Sequence, residues 1–174
     1  MRKHKAIFFD RDGTLIKTFV SKNNTPIAIK KYKDFKLIKK TKSVIQKLSV
    51  KYLIIVITNQ PDVSRGKNSM RNVIKINSEL IKVLKINKVY TSYSDNDKNF
   101  MRKPNPGMIY LAKKQFNIDL KASFVVGDTH KDVLAGKKAK CKTILLKKKY
   151  NNFKFSQPDF AISDFDELLN IIKV

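Results

Sequence analysis

The sequence predicts an α/β fold in which a central, mainly parallel sheet carries helices on both faces. Three observations predict it. Short apolar runs alternate with amphipathic helical segments along most of the 174 residues. The runs are too continuously apolar for a sheet with one face in water. Polar clusters follow several of the runs, and parallel sheets bind ligands at the carboxyl ends of their strands.

Each strand is indicated by a short apolar run, and each helix by apolar residues three and four positions apart. The predicted strands are residues 6–9, 52–57, 89–91, 124–126 and 143–146. The predicted helices are residues 40–50, 70–85, 106–117, 131–138 and 164–172. Pro106 is expected at the first helical position, where its missing N–H costs nothing. Residues 17–33 are expected to form a loop or hairpin, and residues 147–152 a basic surface loop.

Length and composition favour a single domain over residues 1–174. No apolar stretch approaches the ~20 residues that a membrane helix needs. The basic N-terminus leads into a strand rather than a signal-peptide core, so we expect a cytoplasmic protein with no membrane association. The one cysteine, Cys141, suits a reducing compartment and is expected to be a small buried apolar residue.

The formal net charge of +24 has two interpretations. Most of the positive charge is lysine, accompanied by many asparagine and isoleucine residues, which favours a composition bias of the source genome. A polyanionic partner such as nucleic acid is the alternative, although arginine is the better side chain for planar, bidentate contacts. Under both interpretations the positive field attracts anionic substrates.

Two carboxylates follow the first predicted strand directly, in Asp10-Arg11-Asp12-Gly13-Thr14. Positions two apart on an extended backbone face the same side, so Asp10 and Asp12 can converge on one site. Gly13 allows the chain to turn sharply away. Because two such carboxylates repel each other unless they share a cation or a proton, we expect a divalent metal. One acid can then attack while the other moves protons.

Three further polar clusters lie where strands end or helices begin. They are Thr58-Asn59-Gln60, Arg102-Lys103-Pro104, and Gly127-Asp128 with Asp132 four residues on. A parallel sheet brings such loops to one edge, where they can form one pocket. This set suits phosphoryl transfer, because the acids can hold Mg²⁺ while lysine, hydroxyl and amide donors bind phosphate oxygens.

The four clusters, in this order, resemble the motifs of the haloacid dehalogenase-like (HAD) superfamily over roughly residues 6–146. The resemblance implies a Rossmann-like HAD fold and a Mg²⁺-dependent phosphatase. It implies that Asp10 is the nucleophile that forms an aspartyl-phosphate, and that Asp12 is the general acid and then the general base. The implied metal ligands are Asp10, the backbone carbonyl of Asp12, and Asp128. The implied phosphate-binding residues are Thr58 and Lys103, with Asp132 in a supporting or water-mediated role.

Within the superfamily, the sequence is similar to the heptose bisphosphate phosphatase and histidinol-phosphatase group. The similarity lies in residues 10–14, in residues 58–60 with Arg65-Gly66 shortly after, and in residues 102–108. It implies that Asn59, Arg65 and Arg102 touch the substrate. The same group resembles the 3′-phosphatase domain of polynucleotide kinase-phosphatases.

The chain departs from this group in one segment. The group commonly has a structural zinc loop of Cys and His just before the Arg-Lys-Pro motif, whereas residues 90–101 contain neither. A tetrahedral site with nitrogen and sulfur ligands cannot be built there, so no structural zinc is expected. The intervals between motifs leave room only for core elements and short loops. We therefore expect a capless enzyme, or one with a minimal loop cap, and an open site.

The sequence favours a phosphomonoesterase acting on a small phosphorylated metabolite, such as a heptose bisphosphate. A histidinol-phosphatase, a nucleic-acid 3′-phosphatase and a non-catalytic binding protein on the same fold are the alternatives. The complete set of acids and lysine argues against the last of these. His130 is expected to be a solvent-exposed loop residue. Asp132 is left with two possible roles, one in the site and one in the first turn of a helix, where its charge favours the macrodipole.

Overall fold

The computed structural model describes residues 3–151 and 157–173. Six strands form one sheet: β1 (Ala6–Phe9), β4 (Leu53–Asn59), β5 (Lys88–Ser92), β6 (Phe124–Gly127), β7 (Lys142–Leu146) and β8 (Phe160–Ile162). Their order is β5-β4-β1-β6-β7-β8, and all neighbours pair in parallel. A separate antiparallel hairpin, β2 (Phe19–Val20) and β3 (Pro26–Ile27), follows β1. The predicted parallel sheet is confirmed, and the segment expected as a loop or hairpin is a hairpin.

The predicted helices are also present, with shifts of a few residues at their ends. They are α1 (Thr41–Leu48), α2 (Met70–Leu84), α3 (Gly107–Phe116), α4 (His130–Lys138) and α5 (Leu168–Ile171). Pro106 lies at the N-cap of α3, one residue earlier than predicted. The last helix begins later than predicted, because Asp164 and Glu167 form a capping box around a 3₁₀ turn before α5.

The helices cover both faces of the sheet. Ile7 and Phe9 of β1 pack on one side with residues of α1, α2 and α5. Ala6 and Phe8 pack on the other side with residues of α3 and α4. All four side chains of β1 are fully buried, which explains why the strand is an unbroken apolar run. Cys141 is buried in the second layer, as predicted.

Strand β8 was not predicted. Phe160–Ile162 pairs with β7, and Asp159 just before it accepts hydrogen bonds from the backbone N–H and the hydroxyl of Thr143, both at 2.7 Å. The strand has three residues and only one of them is buried, so its apolar pattern is too short to recognise.

Strand β1 lies between β4 and β6. The next two strands of this sheet along the chain, β4 and β5, lie on one side of it, and the last three, β6 to β8, lie on the other side. This is the topological switch point, where parallel sheets form a crevice at the carboxyl ends of their strands. In the parts of the chain that the structure describes, no helix has the length and apolarity that crossing a membrane requires.

Candidate active site

The loop after β1 turns at Gly13, and this turn creates space for an acid from another loop. Gly13 has a φ of +86°, a conformation that other residues rarely adopt. A Cβ at this position would lie 2.1 Å from Oδ2 of Asp128. A side chain is therefore excluded by conformation and by space, and the glycine allows Asp128 to approach the loop that bears Asp10 and Asp12.

Lys103 connects the acids of two different loops. Its ammonium donates hydrogen bonds to Oδ1 of Asp10 at 2.5 Å, to Oδ1 of Asp132 at 2.6 Å and to the carbonyl oxygen of Ile57 at 2.8 Å. These acceptors engage all three N–H groups of the ammonium. The lysine is 3% exposed, so the segment before α3 is fixed between the end of β1 and the start of α4.

Three acids form a group that fits a metal ion. Oxygen atoms of the Asp10, Asp128 and Asp132 carboxylates all lie within 4.8 Å of one another. Lys103 is their one cationic contact among the described residues, so the three acids, when all are ionised, leave a net of two negative charges in a buried place. That charge, together with a donor set made only of oxygen, fits a hard divalent cation such as Mg²⁺.

Burial and the mutual repulsion of the acids dominate the pKa values of the site. Burial raises the pKa of Asp10 well above its usual range, and neighbouring carboxylates add to the rise although Lys103 opposes it. Burial, with Asp132 as the next contributor, raises the pKa of Asp128 to about 6. Burial by itself would lower the pKa of Lys103, but Asp10 and Asp132 outweigh it and the net shift is upward. The lysine is charged, whereas the acids do not all ionise easily without a cation.

Asp12 is oriented by donors outside this group. Arg11 Nε and Gln60 Nε2 donate to its Oδ2 at 2.9 and 2.8 Å, and the backbone N–H of Ile29 donates to its Oδ1 at 3.2 Å. The side chain of Asp12 does not belong to the group of three acids, so its predicted part in metal binding concerns the backbone carbonyl. That assignment stays a prediction. A carboxylate held in one orientation suits proton transfer.

Thr58 and Asn59 end β4, next to β1. Thr58 is buried, and its hydroxyl accepts a hydrogen bond from Gln60 at 2.8 Å. The side-chain amide of Asn59 bonds to the backbone of Lys103. Both residues line the same cavity as Asp10, and their predicted contacts with phosphate and substrate stay predictions.

The two predicted arginines lie in different parts of this cavity. Arg102 is 5% exposed, and it donates from Nε to Asp97 at 2.8 Å and from Nη1 to a backbone carbonyl at 3.0 Å. The side chain of Arg65 is 43% exposed. Its Nη1 lies 3.9 Å from Oδ1 of Asp62, and its Nε lies 3.5 Å from Oδ2 of Asp95. Arg102 is thus part of the wall, and Arg65 lies at the rim.

The cavity is open and has a volume of about 450 Å³. Pro26, Ile27 and Ala28, from β3 and the residue after it, form an apolar part of its wall. Whether this hairpin acts as the minimal loop cap, or the enzyme is capless, stays a prediction. The basic residues of the lining are Lys30, Arg65, Lys67, Arg102, Lys103 and Lys131. Such a lining favours an anionic ligand.

Asp132 makes contacts that agree with both of the roles considered for it, and its role in the site stays a prediction. Its Oδ2 accepts hydrogen bonds from the hydroxyl and the N–H of Thr129 at 2.6 and 3.0 Å, which forms the capping box of α4. Its Oδ1 meets Lys103. His130 differs from expectation: it is the first residue of α4 and is half-buried, and burial lowers its pKa.

The loop after β7 reaches the site, which sequence reasoning missed. The hydroxyl of Tyr150 donates to Oδ2 of Asp128, and Asn151 Nδ2 donates to the backbone carbonyl of Asp128 at 2.6 Å. Burial and the charge of Asp128 raise the pKa of the Tyr150 hydroxyl, so it stays a donor. These residues belong to no recognisable motif. They directly follow a run of lysines, which by itself indicates only a basic surface loop. The loop was predicted as surface; residues 147–151 are described and Asn152 lies outside the described residues.

Comparison with known proteins identifies related phosphatases. The family described as polynucleotide kinase 3 phosphatase matches residues 5–166. A D-glycero-beta-D-manno-heptose-1,7-bisphosphate 7-phosphatase of Helicobacter pylori is 31% identical over 99% of this chain and 100% of its own length. A D-glycero-alpha-D-manno-heptose-1,7-bisphosphate 7-phosphatase of Campylobacter jejuni is 30% identical over 98% of this chain and 97% of its own length.

Solved structures share the fold. The D,D-heptose 1.7-bisphosphate phosphatase from B. bronchiseptica, complexed with magnesium and phosphate, has a TM-score of 0.79 and 20% identity. The alignment covers 97% of this chain and 99% of that one. A HAD-like phosphatase from Mesorhizobium loti has a TM-score of 0.75 and 24% identity over 97% of this chain and 84% of that one. At these identities the likeness concerns the fold.

Proposed function

This chain belongs to the polynucleotide kinase 3 phosphatase family of HAD-like phosphatases, and we propose that it hydrolyses a small sugar phosphate with the help of Mg²⁺. One observation carries the proposal: Lys103 joins Asp10 to Asp132 beside Asp128, so three loops contribute to one charged site. The curated relatives are named heptose-1,7-bisphosphate phosphatases, which supports a heptose bisphosphate as the substrate.

The reaction has two steps at Asp10. Lys103 engages Oδ1 of this carboxylate, so we assign Oδ2 as the nucleophile. Attack on phosphorus forms an aspartyl-phosphate and breaks the ester P–O bond, while Asp12 gives a proton to the departing alkoxide. Asp12 then takes a proton from water, which attacks the same phosphorus. The P–O bond to Asp10 breaks, inorganic phosphate leaves and the carboxylate is restored.

The other groups of the site offset the negative charge of the nucleophile and of the phosphate ester. Asp10, Asp128 and the backbone carbonyl of Asp12 would hold Mg²⁺, which when bound offsets the repulsion between an anionic nucleophile and an anionic ester. Thr58 and Lys103 are assigned to the oxygens of the transferred phosphoryl group; because all three N–H groups of Lys103 already have acceptors, the lysine acts on that group through its positive charge. Asp132 acts through Lys103, whose ammonium it fixes.

The cavity supports a small, polar substrate. Its volume of about 450 Å³ lies in the range of small-molecule sites. Arg102 in the wall, Arg65 at the rim and Asn59 beside Lys103 are the residues we assign to substrate contact. A cytoplasmic location and a single domain over residues 1–174 remain predictions from the composition.

A second candidate is the removal of a 3′-phosphate from nucleic acid. The family match and the net charge of +24 favour it. Salt concentration distinguishes the two candidates, since a polyanion releases many counterions when it binds and a sugar phosphate releases few. A steep loss of affinity with salt therefore indicates a nucleic acid substrate.

The proposal is tested by phosphate release from purified protein. The substrates are a heptose bisphosphate, histidinol phosphate and a 3′-phosphorylated oligonucleotide, each with Mg²⁺ or EDTA and at two salt concentrations. We expect turnover of the sugar phosphate that EDTA abolishes. Asp10→Asn should lose at least about 100-fold in kcat, while Asp166→Asn, at an exposed ion pair with Lys40, should not change it. Full activity of Asp10→Asn, or no release from any substrate, would contradict the proposal.

A further inference from the structure

We propose that Tyr150 is a positioning residue, whose hydroxyl orients the Asp128 carboxylate and thereby strengthens the binding of a divalent cation. The inference rests on the proposed function, because it takes Asp128 to be a ligand of that cation. It assigns a role to the loop after β7, a segment whose sequence has no recognisable motif.

The Asp128 carboxylate is held at both oxygens. The Thr14 hydroxyl donates to Oδ1 at 3.1 Å, and the Tyr150 hydroxyl donates to Oδ2. Because the carboxylate can turn about its Cβ–Cγ bond, one donor on each oxygen limits that rotation. Each oxygen has two lone-pair positions, so a donated hydrogen bond leaves a position for a cation. Partners that orient a ligand in this way commonly contribute about 10- to 100-fold to metal affinity.

The backbone of the same aspartate is held by the next residue of the loop. Asn151 Nδ2 donates to the Asp128 carbonyl oxygen at 2.6 Å. Consecutive residues thus bind the side chain and the backbone of Asp128. On the other side, Asn24 in the turn of the β2–β3 hairpin donates to the carbonyl of Lys149 at 3.1 Å. These contacts fix the loop from which Tyr150 reaches the site.

The turn after β1 is shaped for the tyrosine as well as for the aspartate. A Cβ on Gly13 would lie 2.7 Å from the Tyr150 hydroxyl oxygen, which is closer than a Cβ contact can be. The glycine therefore leaves room for both partners of this hydrogen bond. A tyrosine that only filled space would not require its hydroxyl to meet a buried carboxylate.

The experiment compares Mn²⁺ binding to the wild-type protein and to Tyr150→Phe by calorimetric titration, which does not depend on turnover. We expect the Kd of Tyr150→Phe to rise about 10-fold. We also expect its phosphatase activity to approach the wild-type value at high Mg²⁺. The matched control is Tyr110→Phe, which removes a hydroxyl bonded to the carbonyl of Lys138 on α4 and should leave the Kd unchanged.

The outcomes separate this inference from the proposed function. A Kd for Tyr150→Phe equal to the wild-type value, or lower, overturns the inference and leaves the metal site intact. A wild-type protein that binds no Mn²⁺ overturns both. If Tyr150→Phe does not fold, Asn151→Ala tests the same loop: a raised Kd supports the inference and an unchanged one overturns it.

Discussion

The side chain of Asn59 pairs with the backbone of Lys103 through two hydrogen bonds. Nδ2 donates to the Lys103 carbonyl at 2.9 Å, and Oδ1 accepts from the Lys103 N–H at 3.1 Å. An amide can do this because it has both a donor and an acceptor. The pair joins the end of β4 to the segment before α3. It fixes the backbone from which Lys103 reaches Asp10 and Asp132.

Asn59→Ala is therefore expected to lower kcat by about 10- to 100-fold, because Lys103 loses its fixed position. The loss of two hydrogen bonds should also lower the free energy of unfolding by about 1–3 kcal/mol. Steady-state kinetics and urea denaturation measure the two effects. Asn170→Ala, at an exposed position of α5, is the control and should change neither. Wild-type kcat in Asn59→Ala would contradict this role.

The sequence predicts the chemical core of the site because the fold confines it. Polar residues at the carboxyl ends of buried parallel strands must lie at one edge, so Asp10 and Asp128 could be expected to meet without any knowledge of their distances. Their long-range partners could not be expected in this way. Arg11 lies between two acids in the chain, yet it is buried and bonds to Asn77, 66 residues away. Tyr150 belongs to a loop, and no periodicity fixes where a loop packs.

The free energy of unfolding of the metal-free protein is expected to depend on Asp128. Its pKa is raised to about 6 by burial, with Asp132 adding to the rise. The folded protein therefore holds this proton more tightly than the unfolded chain, so stability falls as pH rises from about 4 through about 6. Asp128→Asn removes the charge. It should raise the free energy of unfolding near neutral pH by about 1–3 kcal/mol, while abolishing activity.

Urea denaturation in EDTA at about pH 7.5 and about pH 5 measures this effect. The difference in free energy of unfolding between Asp128→Asn and wild type should be smaller at the lower pH, because wild-type Asp128 is then largely protonated. Asp159→Asn is a control that should lower, and not raise, the free energy of unfolding at neutral pH. Although burial raises its pKa, hydrogen bonds from Thr143 outweigh burial and the net shift is downward, so its charge stabilises the folded state at neutral pH. An Asp128→Asn variant that is less stable than wild type at about pH 7.5 would contradict the prediction.

Asp97 holds two cations of the cavity lining. It accepts hydrogen bonds from Arg102 Nε at 2.8 Å and from Lys131 Nζ at 3.2 Å, and these bonds lower its pKa. Asp97→Asn should loosen both side chains and raise KM about threefold. We expect kcat to stay close to the wild-type value, because Asp97 does not contact Asp10.

Steady-state kinetics at about 0.15 M salt test this prediction, since the charge removed with Asp97 is then largely screened. Asp166→Asn is the control, because it removes an exposed ion pair with Lys40, and neither residue lines the cavity. A fall in kcat with unchanged KM would show that Asp97 does not act through substrate binding.

Asn77 is expected to stabilise the protein chiefly through Arg11. Its Oδ1 accepts from Arg11 Nη1 at 2.7 Å, and its Nδ2 donates to the hydroxyl of Thr91 at 3.1 Å. Arg11 is fully buried, and its Nη2 has no hydrogen-bond partner in the described parts of the chain. Asn77→Leu would leave Nη1 without an acceptor as well. It should lower the free energy of unfolding by about 1–3 kcal/mol.

Asn77→Asp isolates this contribution, because both substitutions remove the N–H that donates to Thr91, while aspartate retains an acceptor for Arg11. We expect Asn77→Asp to stay near wild type in urea denaturation and Asn77→Leu to be destabilised. Since Arg11 also donates to Asp12 at 2.9 Å, a loosened guanidinium should lower kcat in Asn77→Leu alone. Equal destabilisation of the two variants would mean that the bond to Thr91, and not the buried guanidinium, accounts for the role of Asn77.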